Sequence, residues 1–320
     1  MRPRLKRNQE HRAFYLITNR IAGGSLVLGD AEKDKLKRLV IDGQERYGHK
    51  VWDYVIMCNH YHLLVELVPA AEMTRDELLA RWLMGSASKN PGDPGDGVLE
   101  AFRRKVHDLS IIVGNFQQRF TQWFNMRNDR KGRLFGARFD SVLLDGDGCF
   151  AKAMAYVTLN PVRALMVPDP AEYQWCGYAE RVATGRFRDD DRLIVDYMHQ
   201  ELGLPAKALE GTDDDVLEQL WARFRECLLG HNLGVDSEKL KTVADPLLQN
   251  EKPLELEWPD RLRLKSRFLT KGIVAGSKEF VETVMAEQKE SLGDLRRKGP
   301  VASRAWDDTY CLRKHRRPVG

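Results

Sequence analysis

Cysteine is sparse and scattered: five residues, Cys58, Cys149, Cys176, Cys227 and Cys311. The number is odd and no two form a Cys-x-x-Cys, so neither a disulfide framework nor a cysteine-built zinc site is indicated. Long apolar runs are missing too. None reaches the roughly 20 residues that span a bilayer, and the opening Met-Arg-Pro-Arg-Leu-Lys-Arg leads into no signal-type stretch. A cytoplasmic protein without membrane contact is expected. No Gly-rich segment ends in Lys-Ser/Thr, which removes the phosphate-cradling loop of nucleotide hydrolases. There is no internal repeat.

What is present is a chain of 320 residues, 42% hydrophobic and 31% charged, which describes a soluble globular protein with ample core for one large domain or two ordinary ones. The net charge of +4 is modest, but its distribution is uneven. Between Ala101 and Asp140, nine Lys/Arg face three Asp, a local surplus larger than that of the whole chain. Aromatic residues interleave with these cations: Phe120, Trp123, Phe124, Phe135 and Phe139. Cations tracking phosphates beside rings that stack unpaired bases are the general recipe for binding a single strand. On the helical stripe, Phe116, Phe120 and Trp123 read more simply as core. A second basic stretch, Arg296 to Gly320, reads as a solvated tail that could reach phosphates.

Taken in order, Ala13–Arg20 has the aromatic and β-branched content of a strand, and Gly23-Gly24 a turn. Asp30 to Tyr47 carries Leu36, Leu39 and Val40 at helical spacing behind a residue able to cap. Val51–Met57 reads as a second strand and Cys58–Leu67 as a third, with Asn59 a natural turn residue. Thr74–Met84 reads as a helix, and Gly85–Gly97, rich in Gly, Pro and Asp, as a flexible loop. Phe102 to Met126 has the apolar spacing of one long helix. Phe139–Leu144 alternates like a short strand, and roughly Cys149 to Leu159 reads as a helix. Beyond Arg186, segments opening at Thr212 or Asp213 and at Ser277 carry helical apolar stripes. The whole predicts an α+β fold, an antiparallel sheet flanked by helices, followed by a mainly helical C-terminal region. The expected division is 1–186 and 187–320, with an insertion at about 85–100.

Two stretches stand out chemically. In Cys58-Asn59-His60-Tyr61-His62-Leu63-Leu64, strand geometry sends His60 and His62 to one face, about 7 Å apart along the strand. Neutral imidazoles so placed can converge on one ion, although an isolated His-x-His equally suits a strand end that binds water. Glu66 shares that face, about 14 Å along the strand from His62. In Tyr156-Val157-Thr158-Leu159-Asn160-Pro161, residues 156 and 160 share a helix face, with Asn160 held at the frayed end by the proline that follows it. Spacing alone does not separate Tyr156 from an ordinary core tyrosine.

These stretches combine with Arg133-Leu134-Phe135-Gly136-Ala137-Arg138-Phe139-Asp140-Ser141, with Val162-Arg163-Ala164 and with Tyr173-Gln174-Trp175-Cys176-Gly177-Tyr178. Together the set resembles the single-tyrosine HUH transposases, and among them the type associated with repetitive extragenic palindromic (REP) elements. The resemblance runs from about Arg12 to Tyr178, and the ordered set is far more specific than His-x-His alone. It implies cleavage and rejoining of single-stranded or hairpin DNA. In that implication Tyr156 is the nucleophile and forms a 5′-phosphotyrosine link. His60 and His62 hold a divalent ion, with Asn160 as third ligand where many relatives have Gln. The ion's identity is left open by the donor types, since imidazoles favour zinc-like metals and oxygens favour harder ions. The resemblance implies Mg²⁺ or Mn²⁺. Arg127, Arg130, Lys131, Arg133, Arg138 and Arg163 are the expected phosphate contacts. Palindromic hairpin DNA is the expected partner, and a homodimer is an allowed assembly. The Gly/Pro-rich loop and the region past Arg186 depart from the compact family domain. Two other functions compete: a domesticated DNA binder that no longer cuts, and a metal-dependent hydrolase that uses water as its nucleophile.

Overall fold

The structure is a computed structural model, and it describes residues 11–86, 92–136, 138–146, 149–184, 267–292, 299–303 and 308–313. The chain is a mixed α+β protein whose sheets are flanked by helices. It divides into two compact units, residues 6–141 and residues 142–320 together with 1–5. The boundary expected near residue 186, the Thr212/Asp213 helix and the centre of the Gly/Pro-rich loop lie outside the described residues.

In the first unit the organising strand is β3 (His60–Leu67), flanked antiparallel by β1 (Ala13–Arg20) and β2 (Lys50–Ile56). Every residue of β3 from Tyr61 to Leu67 is buried, as a central strand carrying the apolar run Leu63–Val65 requires. A bulge in β2 between Val51 and Asp53 sets Trp52 out of the regular pairing. The face of β3 that bears Tyr61 and Leu63 packs under helices. Tyr61 lies edge-on to Phe116 and Phe135, with ring centres 5.8 and 6.0 Å away, and its hydroxyl bonds to Gln117.

Helix α1 (Asp30–Tyr47) buries the expected Leu36, Leu39 and Val40 and ends on Gly48, whose φ of 72° suits the left-handed cap. Helix α2 (Arg75–Leu83) opens on Thr74, which forms a reciprocal capping box with Glu77. The long helix expected from Phe102 to Met126 is instead two: α3 (Asp96–Val106) and α4 (Leu109–Arg127). The cause is local. Asp108 leaves helical geometry and accepts a hydrogen bond from the Ser110 amide at 2.8 Å, capping a new helix start, while His107 Nδ1 bonds to the Val68 carbonyl at 2.9 Å. The apolar spacing carries through the break, so the pattern alone does not show it.

The second unit contains the end of β4 (Asp140–Leu144), which runs parallel to β5 (Gly272–Gly276). Strand β5 pairs antiparallel with a last strand at Tyr310–Arg313, itself bordered by the two-residue strand Val301–Ala302. The shorter is named β6 and the longer β7. Helices α5 (Phe150–Thr158), α6 (Asn160–Arg163) and α7 (Gly177–Thr184) come from the motif-bearing half of the sequence. Beyond residue 187 the described helices include α8 (Arg267–Lys271) and α9 (Lys278–Glu287), the latter capped by Ser277 as expected. The strands there were not foreseen, and part of the basic tail is not solvated: Cys311 and Leu312 of β7 are buried. Among the described residues no helix is long and apolar enough to cross a membrane.

Candidate functional site

The register of β1 against β3 sets Thr18 opposite His62 and Arg20 opposite His60. Thr18 Oγ1 lies 2.7 Å from His62 Nδ1. At the hairpin turn, Asn59 Nδ2 donates to the Gly24 carbonyl at 2.9 Å, which turns the amide oxygen towards His60 Nδ1, 2.7 Å away. An amide oxygen only accepts, so His60 Nδ1 donates and Nε2 carries the ring's lone pair in the neutral imidazole. This is the outer support that metal-ligating histidines have: the far nitrogen is tied down and the ring orientation is fixed.

The two rings stand edge to face, 5.1 Å between centres and 86° between planes. With an ion–nitrogen bond of about 2.1 Å, two imidazoles meeting one ion at ~90–110° have ring centres ~4.5–5.3 Å apart. The observed spacing falls inside that window. Among the described residues no group of three or more His, Cys, Asp or Glu could hold a metal. An ion on this pair would therefore draw its remaining ligands from amide, phosphate or water oxygens, which suits a hard ion. Glu66 does not serve as a base here. It is fully buried and accepts from Trp52 Nε1 and Arg12 Nη1, each at 2.9 Å.

Helix α5 is buried on all sides, and Tyr156 in it is 8% exposed. Leu159 interrupts the helix, and Asn160 opens the short α6 with Pro161 in its first turn. Asn160 is thus the start of a further helical turn, not the frayed end the proline suggested; Pro161 needs no N–H at that position. Arg163 folds back over this junction. Its guanidinium carbon sits 4.9 Å from the centre of the Tyr156 ring, and Nη1 donates to the Tyr156 carbonyl at 3.1 Å. Burial lowers the Arg163 guanidinium to about 10, with attraction to Tyr156 opposing the shift, so it remains charged at neutral pH.

The other expected phosphate contacts, Arg127, Arg130, Lys131, Arg133 and Arg138, are all exposed. Arg127 lies over the Trp123 ring at 5.7 Å and 3.8 Å from Glu32; Arg130 lies over Phe124 at 5.6 Å. The loop turns back on α4 through Asn125, whose side chain donates to Gly132 O and whose carbonyl accepts from the Arg130 amide. The aromatics between the cations are core: Phe120, Phe124, Phe135 and Phe139 are buried, and Trp123 is half-buried. Base stacking on them is therefore not what the loop offers; its cations are.

Sequence reasoning missed Thr18 as a partner of His62 and saw in Asn59 only a turn. Thr18 has no motif of its own, because only the β1–β3 register joins it to the histidine.

No protein-family model matches the chain, and no curated protein does. Among solved structures, one described as a REP-associated tyrosine transposase bound to a REP hairpin is similar, at 14% identity and a TM-score of 0.40, over 57% of this chain and 87% of that one.

Proposed function

We propose that the chain is a divalent-metal-dependent DNA endonuclease and strand transferase of the transposase type, acting on single-stranded or hairpin DNA through Tyr156. The observation that carries the reading is the histidine pair: two imidazoles at ligand spacing, each with its Nδ1 held by a neighbouring polar side chain. A water-binding strand end has no need of that support.

His60 and His62 would hold the ion, with Asn160 supplying an amide oxygen. Mg²⁺ or Mn²⁺, when bound, polarises the scissile phosphate and orients it for in-line attack. The rest of the chemistry belongs to the chain. A tyrosine hydroxyl has a reference pKa near 10 and is a weak nucleophile unless activated. The Tyr156 oxygen bonds to phosphorus, its proton leaves to solvent, and the bond to the 3′ oxygen breaks. That oxygen takes a proton and departs as a free 3′-hydroxyl. The phosphotyrosine ester keeps the bond energy, so attack by a 3′-hydroxyl reverses the step without ATP. The exposed cations at 127–138 hold the backbone, and no observation calls for a second copy of the chain.

The test is incubation with end-labelled hairpin DNA and Mn²⁺, followed by a denaturing gel. A covalent protein–DNA adduct is expected; Tyr156→Phe abolishes it while leaving binding intact, and His60→Ala removes cleavage. Cleavage by Tyr156→Phe at the normal rate would transfer the protein to the water-using hydrolases. Binding with no adduct under any metal would make it a binder that no longer cuts.

A further inference from the structure

Arg163 was expected at the DNA backbone, yet its cation rests on the ring of Tyr156 and its Nη1 on the carbonyl of the same residue. We infer that Arg163 is a positioning residue for the tyrosine, a clamp that fixes ring and helix end together, and not a phosphate contact. The inference rests on the reading of Tyr156 as nucleophile and adds to it the means by which that nucleophile is aimed.

The local chain shows why a clamp is needed. Tyr156 lies in the last turn of α5, which closes at Thr158, and α6 begins two residues later at Asn160. Pro161 contributes no N–H at this junction, so the ladder that would continue a single helix lacks its bond to the Val157 carbonyl, next to the tyrosine. The last carbonyls of a helix lack partners within it, and Arg163 supplies one to the carbonyl of Tyr156. Arg163 holds the turn at two points. Its planar fork can donate along one edge while its face lies on an aromatic ring, which an ammonium cannot do. The short α6 brings residue 163 back over residue 156; the Arg163 amide bonds to the Leu159 carbonyl at 2.9 Å and the Ala164 amide to Asn160 O at 3.0 Å. The guanidinium's low but still basic character keeps the cation present at working pH.

In-line displacement punishes misplacement of the attacking atom by about 1 Å with losses on the order of 100-fold. A positioning residue and a phosphate contact therefore fail differently. The experiment compares wild type, Arg163→Met and Arg163→Lys by three readouts: the single-turnover rate of adduct formation, the affinity for hairpin DNA across salt concentrations, and the ¹⁹F spectrum of protein labelled with 3-fluorotyrosine, with the Tyr156 line assigned from Tyr156→Phe. Circular dichroism melting checks that each variant folds. The expected result for Arg163→Met is an adduct rate down about 100-fold with affinity and salt slope unchanged, and a shifted, broadened Tyr156 line. Arg163→Lys, keeping charge without the plane, falls between. Loss confined to affinity, with the salt slope smaller by about 0.7, would return Arg163 to the phosphate contacts and overturn the inference. So would an unmoved Tyr156 line together with a wild-type rate. If wild type itself forms no adduct, the nuclease reading fails separately. The fluorine line then decides the clamp: movement supports it, and none refutes it.

Discussion

Thr18 is an uncharged β-strand residue with no place in any motif, yet its hydroxyl is 2.7 Å from a ring nitrogen of the candidate metal pair. Its contribution is orientation. A histidine ring held by one partner loses little more when it binds an ion, whereas a freely rotating ring must be ordered at that moment. Thr18→Val keeps the shape and the β-branched fit of the strand but removes the hydroxyl. The expected outcome is Mn²⁺ affinity about 10-fold weaker, with thermal stability nearly unchanged, read by titration calorimetry on metal-free protein. Equal affinity would show that the hydroxyl plays no part in holding the ring. The same scale shows what a sequence can and cannot reveal. His60 and His62 announce themselves because two residues apart on a strand means one face. Thr18 lies 44 positions from His62 and is joined to it only by register, which no local pattern encodes.

At the scale of elements, helix α5 carries a buried lysine one turn before Tyr156. Lys152, 2% exposed, donates to Asp308 Oδ2 at 2.8 Å and Oδ1 at 3.0 Å, and to Thr309 Oγ1 at 3.0 Å. The contact ties the tyrosine helix to the segment leading into β7. The sequence suggested a solvated basic tail there; what it hid was that a short apolar run, Tyr310–Leu312, had a sheet edge to join. Partial burial pushes the Asp308 carboxyl up, but the hydrogen bond and charge of Lys152 prevail and hold it below the usual carboxylate range. A carboxylate whose folded pKa is depressed stabilises the protein above its unfolded pKa, and that contribution is lost as pH falls through the folded value. Asp308→Asn should therefore cost about 1–2 kcal/mol at pH 7, reduced from a fully buried pair because Asp308 is well exposed. The cost should shrink as pH falls below the usual carboxylate range and through the depressed folded value, where wild type loses the charge as well. Urea melts at pH 7 and below that folded value measure this; an equal penalty at both would mean that packing, not charge, holds the segment. The other element-scale lesson is the break at Asp108. The side-chain cap was written in the sequence, but the apolar spacing on either side ran on as if the helix did too.

For the molecule as a whole, the fold class was legible because three strands and α1 have clear periods, and because the apolar run Leu63–Val65 suits a buried central strand. The roles of Phe135 and Phe139 were not, since a Phe beside an Arg looks alike in sequence whether it faces DNA or core; their burial decides it. What remains for binding is charge. The net charge of +4 is small, so on the proposed reading recognition of a polyanion depends on where the cations stand; among the described residues Arg127, Arg130, Lys131, Arg133 and Arg138 are exposed and close in sequence at and after the end of α4. Arg130 is braced against Phe124, and Lys131 and Arg133 follow on the same turn. Each phosphate neutralised on a single strand releases about 0.7 counterion, so log affinity falls with log salt by that amount per contact. Replacing Arg130, Lys131 and Arg133 together by Gln should therefore weaken hairpin binding at low salt and flatten the salt dependence by about 2. The adduct rate at saturating DNA should stay within a few-fold of wild type, because the proposed chemistry uses none of the three. Fluorescence anisotropy from low to moderate salt gives the slope directly. A slope unchanged by the triple substitution would place the DNA elsewhere on the surface and leave this loop as a solvated turn.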